Sequence, residues 1–460
     1  MNSGNTENNK NDFSMFLNSL ADDENYQKIT RNQNTIIVNE RVYIQFNERL
    51  ENKYFNLSNI TFNKEVTFKG NFEGLQFVFD NTHFKQLNIF DCKIDSIVFN
   101  GETHNTGEFN ISNCEIKTTI VDSNIQGNIS FMKCKFDDFN MLNADKNIDC
   151  AAKFIFNFCE VKGIANFMNF KFRDKVSFKM SNFRDNIYFN NSHFYDFADF
   201  HECEFEKTAC FYGATFDNPP NFSQAIFKEN LNFVNVKCDF EFENLKERIK
   251  QEKEQDSKKT LDKFANDFRD SFRLIKNALI KDNNLLDASN FHKYELYCKE
   301  IELDSKNPKM LKDKIDKLQL YFYRKLCNHH TDLILNLKWL VITIGLFTIL
   351  FFASKIIQGK EILNLNHYGI ALSASSCIMI VLLCLFDYLK LLGGFAYLNL
   401  VATLWLVCYN PKLIFGVVNI LGDSCFNSFE NIVMVTYTIM MFLVVFSLQK
   451  TARKNSIIPH

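Results

Sequence analysis

Few residues of this chain are grouped as chemistry would need them. His201 and Cys203 stand two apart and could offer a metal two donors. His329 and His330 are adjacent and could bind a metal or respond to pH near neutrality. His329 and His330 have no third ligand nearby, and side chains of adjacent helical residues diverge by about 100°, while Cys203 occupies the small buried corner position of its repeat unit. The expected roles are therefore structural: Cys203 as a small packed residue, the two histidines as a polar cap. Asp199, Glu202, Glu204 and Glu206 form an acidic cluster. They alternate with Phe200, Cys203 and Phe205, which places them on a solvated rim. Lys338 lies just inside an apolar stretch, where charge is costly and snorkelling is the expected solution. Asp387 beside Lys390 reads as a solvated turn. No GxSxG, HExxH, P-loop or GxGxxG motif occurs. The expectation is no enzyme, no cofactor and no metal.

The elements that would position any of these residues are set by composition and period. Charge is balanced, 52 basic against 54 acidic residues, and predicts no nucleic-acid partner. The 14 cysteines contain no CxxC pair, and no secretory signal opens the chain, so reduced thiols in or facing the cytoplasm are expected. Residues 1–39 are read as a polar, Asn-rich, disordered lead-in. The outlier is 51 phenylalanines. Coding bias can raise that count but cannot space it.

The spacing is regular. Phe167, Phe172, Phe178, Phe183, Phe189, Phe194, Phe200, Phe205, Phe211, Phe216, Phe222, Phe227 and Phe233 follow steps of five and six without a break. A small or compact residue stands two before most of them, among them Ser181, Ser192, Cys203 and Ala214. An α-helix would throw alternate Phe to opposite sides. A flat strand would need period two. The Pro219-Pro220 pair and the many Asn and Asp argue against a coiled coil. What fits is a chain that turns a corner every five or six residues, about 22 residues per four-sided coil, with the Phe stacked in a dry axial core.

Units such as VSFKMSNFRDN, ADFHECEFEKT and ACFYGATF resemble the Phe-centred pentapeptide-repeat family. The resemblance is strong over 165–233 and visible upstream in FVFDNTHFKQ, GEFNISNCEIK and ISFMKCKFDDF, where Cys114, Ile125 or Val161 replaces Phe. It implies a right-handed quadrilateral β-helix, here over 40–242 with an irregular first half. An α-helical connector is expected over 243–333. In it Phe268, Phe272, Ile275 and Leu279 mark one amphipathic helix, and Leu286, Phe291, Tyr294 and Leu296-Tyr297 a second. The stretch also resembles the helical segment that follows the repeats in membrane-bound members, which implies a cap on the open end of the β-helix.

Residues 334–449 hold four strongly apolar stretches, about 335–357, 369–389, 391–409 and 431–448, each near the length that crosses hydrocarbon. Basic residues cluster before the first, between the second and third (Lys390), and after the fourth. This predicts an integral, multi-pass protein of a bacterial-type inner membrane, with both termini, the 450–460 tail and the β-helix cytoplasmic. The loop 410–430 is semi-apolar, with a run at 413–422 too short to cross; it has no TVGYG-like filter and reads as an interfacial loop or short helix, a re-entrant pore segment being the alternative. Two functions compete. One is a membrane-anchored scaffold that presents its β-helix to an unknown protein partner. The other is a channel-like protein regulated by its repeats, which would have to be a homo-oligomer. A DNA-mimicking rod is excluded by balance, since 154–240 hold 11 acidic and 9 basic residues.

Overall fold

The 5-6 spacing of Phe arises because two kinds of corner alternate. The computed structural model describes residues 29–31, 36–46, 53–100, 107–122, 127–140, 148–150, 152–255, 259–307, 309–358, 367–385, 388–409, 411–415 and 427–453. The five-residue steps hold a tight turn whose third residue is left-handed. Asn169, Met180, Asn191, Glu202, Gly213, Gln224 and Asn235 all have φ between 55° and 68°. They recur every eleven residues. Each such turn from 189 onward closes with a backbone bond from the small residue to Phe, such as Ala214 N–H to Phe211 O at 2.9 Å. This is the pattern of a type II turn. The six-residue steps bend instead through residues such as Asp174, Asp185 and Asp196. Each of these carboxylates accepts the next residue's N–H at 2.6 to 2.8 Å.

Between corners lie two- or three-residue parallel strands, four to a coil. Val176 faces Ala198, Asp199 faces Asn221, and Ala209 faces Leu231, so the coil is twenty-two residues. Upstream the coil varies. Ile36 faces Ile60, Glu108 faces Asn128 and Lys135 faces Glu160. Gly70 and Gly74, with φ of 115° and 89°, turn the long strand Ile60–Asp80 where register shifts. Pairing starts before residue 40, which corrects the extent of the lead-in: Ile29–Arg31 pairs with Ile36–Val38, and the latter stacks on Ile60–Phe62. Residues 1–28 and 32–35 lie outside the described residues.

Twelve of the thirteen Phe are buried. Phe227, near the end of the stack, is half-buried yet lies 4.7 Å from Phe205 in parallel stacking. Val161 takes the Phe183 column one coil earlier. The small corner residues form their own buried column, in which hydroxyls and thiols bond across coils. Ser181 Oγ donates to Phe156 O at 2.7 Å, and Cys203 Sγ to Phe178 O at 2.8 Å. Cys92, Cys114, Cys134 and Cys159 continue the column upstream, each aimed at a carbonyl of the preceding coil at 3.4 to 3.5 Å.

Three helices complete this first unit: α1 (Phe242–Gln255), α2 (Leu261–Lys281) and α3 (Leu285–Ser305). The stripe Phe268, Phe272, Ile275 and Leu279 of α2 is buried, as are Phe291, Tyr294 and Tyr297 of α3. Leu286 is not on that face; it is 54% exposed, since five residues of helix separate it from Phe291 by about 140°. The helices seal the last coil. Ser271 Oγ accepts the Phe222 N–H at 2.8 Å, Tyr294 OH accepts the Phe240 N–H at 3.2 Å, and Phe291 meets Phe233 edge-on at 6.2 Å. These bonds satisfy backbone groups that another coil would otherwise take.

The second unit, residues 308–460, contains α4 (Leu311–Cys327), α5 (Leu333–Ile357), α6 (His367–Leu385), α7 (Leu391–Tyr409), a single 3-10 turn Pro411–Ile414, and α8 (Ser428–Ala452). Its core joins Ile344, Phe347 and Phe351 of α5 with Leu406 and with Met434 and Tyr437 of α8. Gly345 permits close approach to α7, because a Cβ there would stand 2.5 Å from Asn399 Cβ. Of the four stretches predicted as spans, α5 and α8, each of 25 residues, are long and apolar enough to cross a membrane. The other two are shorter apolar helices of 19 residues.

Candidate interaction face

One side of the solenoid carries an ordered charge pattern. Strand residues at one register, Lys93, Glu115, Lys135 and Glu160, alternate in sign from coil to coil. The corner residues beside them, Asp95, Lys117, Asp137 and Lys162, alternate in the opposite phase. Further along lie Arg184, Glu204, Glu206 and Lys228. The pattern holds six cations and six carboxylates, named above. Neighbours pair along and across the columns: Lys93–Glu115 at 3.1 Å, Lys117–Asp95 and Lys162–Asp137 at 2.8 Å, Lys228–Glu204 at 2.6 Å, and Arg184 with Glu160. The hydrogen bond that the Lys162 ammonium donates to Asp137 holds it above its ordinary range, and the bond to Glu204 does the same for Lys228. A groove of about 410 Å³ runs over this side from Glu73 to Arg184.

The ion pairs are half exposed, so each contributes little to stability. Their arrangement matters more. Rigid parallel strands fix these charges at coil spacing, and charge order is in general a source of specificity in association.

The adjacent side, at Ser177, Asp199 and Asn221, is covered by the cap. Arg248 of α1 lies 4.2 Å over the Phe197 ring, and Phe268 of α2 is 6.0 Å from it. Asp199, read as part of a solvated rim, is in consequence buried. It takes Lys179 at 2.8 Å and accepts from Asn221 Nδ2 at 3.1 Å and from the His201 N–H at 3.0 Å. Alternation along a strand says which way a side chain points, not what covers it. Glu202, Glu204 and Glu206 remain partly exposed.

His201 and Cys203 do not converge. The imidazole Nδ1 contacts Ser223 Oγ at 2.7 Å, while the Cys203 thiol is wholly buried in the corner column and burial pushes it up. His329 and His330 lie in no helix. Asn328, His329 and His330 are left-handed in sequence, a turn between α4 and α5. His330 Nδ1 sits 3.3 Å from Ser447 Oγ and 3.4 Å from Thr451 Oγ1, and Asn336 joins the same pair from α5. Lys338 is exposed. Among the described residues no group of three or more His, Cys, Asp or Glu could hold a metal ion. Asp387, residue 410 and residues 416–426 lie outside the described residues, so the predicted loop 410–430 is described only in part.

Two features escaped sequence reasoning. One is the charge order just described. The other is a buried ion pair between α5 and α8, where Lys355 Nζ meets Glu430 Oε1 at 2.9 Å with Gln358 Nε2 at 3.1 Å.

Residues 200–241 match the family described as Pentapeptide repeats (9 copies). No curated protein and no solved structure matches the chain.

Proposed function

Taking as premise that the chain belongs to the pentapeptide-repeat family, its repeats stacked as a β-solenoid, we propose that it is a membrane-anchored scaffold. The helices of the second unit hold it in a bilayer, and the charged face of the solenoid engages a protein partner on the cytoplasmic side. The observation that supports the anchor is apolar exposure. Only 39% and 22% of the most apolar windows of α5 and α8 are buried. Ile334, Leu346, Ile349, Ile432, Ile439, Phe442 and Phe446 face outward, with Leu372, Ile378 and Leu382 of α6 and Leu404 of α7. So much contiguous apolar surface is unfavourable in water and ordinary in hydrocarbon. Basic residues ahead of α5, at Lys390 and after α8 favour a multi-pass arrangement with both ends cytoplasmic.

The partner reading draws on the rigid alternation of charge. A crosslinkable residue in place of Lys135 should yield a discrete adduct that high salt suppresses. The same residue in place of Tyr188, on a different side, should not. Adducts only from the Tyr188 position would overturn the choice of face. Alkaline carbonate that strips the protein from membranes would overturn the anchor. Nothing among the described residues favours the pore alternative.

A further inference from the structure

The helix α4 has an apolar stripe that its own unit leaves uncovered over its first two turns. Leu311, Ile315, Leu318 and Phe322 recur at steps of four, three and four, one face of a helix. Leu311, Ile315 and Leu318 are 75%, 56% and 68% exposed. Only the C-terminal end packs, with Leu326 and Cys327 buried against Val444 of α8 and Phe322 and Tyr323 partly buried against the same cluster. Lys312, Lys314, Lys317, Arg324 and Lys325 flank the stripe against Asp313 and Asp316, so the helix is basic. Tyr321 lies beneath the Arg324 and Lys325 head groups, at 5.3 Å and 5.8 Å. The left-handed turn at Asn328–His330 leads directly into α5, and Trp339 Nε1 donates to Lys325 O at 2.8 Å, which ties the end of α4 to the first turns of that helix.

We propose that α4 lies in the interface of an anionic lipid leaflet, with its stripe in the acyl boundary and its lysines against lipid phosphates. The inference rests on the membrane reading of α5. Three features favour lipid over a protein groove. The stripe is narrow and flanked by cations, the form of an interfacial helix. Tyr321 and Trp339 are the aromatic types that settle at headgroup depth. And α4 is continuous with a helix that would enter the same leaflet. Each Lys or Arg near an anionic surface adds roughly fivefold to the partition, screened by salt.

The test uses the full-length protein in vesicles of phosphatidylcholine, with or without phosphatidylglycerol. A dansyl-bearing amino acid replaces Leu318 in one protein and Ile349, midway along α5, in another. Spin labels sit either near the lipid headgroup or near the bilayer centre. The probe at 318 is expected to be quenched by the shallow label, more strongly with phosphatidylglycerol, and released by high salt. Changing Lys312, Lys314 and Lys317 together to Gln should weaken that anionic preference by on the order of a hundredfold. A probe at 318 open to aqueous iodide in both vesicles, with the 349 probe quenched by the deep label, overturns the interfacial helix and leaves the anchor. Shielding of 318 from iodide without lipid quenching also overturns it, in favour of a protein contact such as a second copy. If the 349 probe escapes the deep label, the membrane reading itself fails.

Discussion

Replacing Phe200 with Ala tests whether the axial Phe stack holds the solenoid together. The ring is fully buried. It stacks in parallel on Phe178 at 5.1 Å and on Phe222 at 4.7 Å, and meets Phe189 and Phe211 edge-on at 5.5 Å each. Phe→Ala in a packed core costs roughly 3–5 kcal/mol, less where the site can collapse. Collapse is hard here, because backbone ladders hold the coils at strand spacing, about 4.8 Å. The ring pairs add roughly 0.5–1.5 kcal/mol each beyond buried area. A cost of about 4 kcal/mol, the middle of the range and not its low end, is therefore expected. In a solenoid that cost falls on the altered coil and its neighbours. Amide exchange of the full-length protein should accelerate on the order of a thousandfold across 176–222, at about 1.4 kcal/mol per tenfold. It should change by less than about tenfold across 83–100, and Phe200→Leu should cost about 1.5 kcal/mol. Equal acceleration along the whole solenoid, or a local change under about tenfold, would refute the stacking argument.

Other outcomes follow from single positions. Met180 holds a left-handed corner at φ 55° and is 41% exposed. Met180→Gly should raise solenoid stability by about 0.5–1 kcal/mol and Met180→Val should lower it by more, the order read from urea melts. Burial alone would raise the Glu295 carboxyl, but His292, Lys276 and Arg273 hold it at about 2. The α2–α3 pair should thus carry on the order of 3 kcal/mol that is present above about pH 5 and fades as pH falls toward 2. Glu295→Gln should flatten that acid limb in thermal melts; an unchanged limb contradicts the assignment. Gly345→Val drives a side chain into Asn399 and should lower the melting temperature of the second unit in detergent, at a cost of about 1–3 kcal/mol. An unaltered melting curve would mean that α5 and α7 are not so close.

What the sequence revealed depends on how far each regularity reaches along the chain. The Phe ladder is visible because its step is five or six residues and each position faces the axis. The left-handed corners are regular in space but not in type: Asn169, Met180, Glu202, Gly213 and Gln224 share a conformation and little chemistry. The turn is imposed by the stacked coils, which override local preference. The charge order of Lys93, Glu115, Lys135 and Glu160 hides because the intervals are twenty-two, twenty and twenty-five residues. A fixed-period scan misses it, and the same drift conceals the column from Cys92 to Cys159. Lys355 and Glu430 are joined only once α5 and α8 are packed together. Asp199 points outward in the repeat and is nonetheless buried, because the cap helices lie over that side.

The alternating corners have a consequence for how such a chain can change length. Two half-coils of eleven residues make one circuit, and each half brings one left-handed corner and one bent corner. A duplication of twenty-two residues therefore adds a rung and leaves every later residue on the side it already occupied. A duplication of eleven also preserves the buried Phe and the corner types, yet carries everything downstream half a circuit round the axis. Lineages can thus lengthen this rod in two step sizes. The longer one extends the ordered charges as a straight stripe. The shorter one breaks the stripe and moves its remainder to the opposite side, where a partner that reads the first segment would no longer find the second.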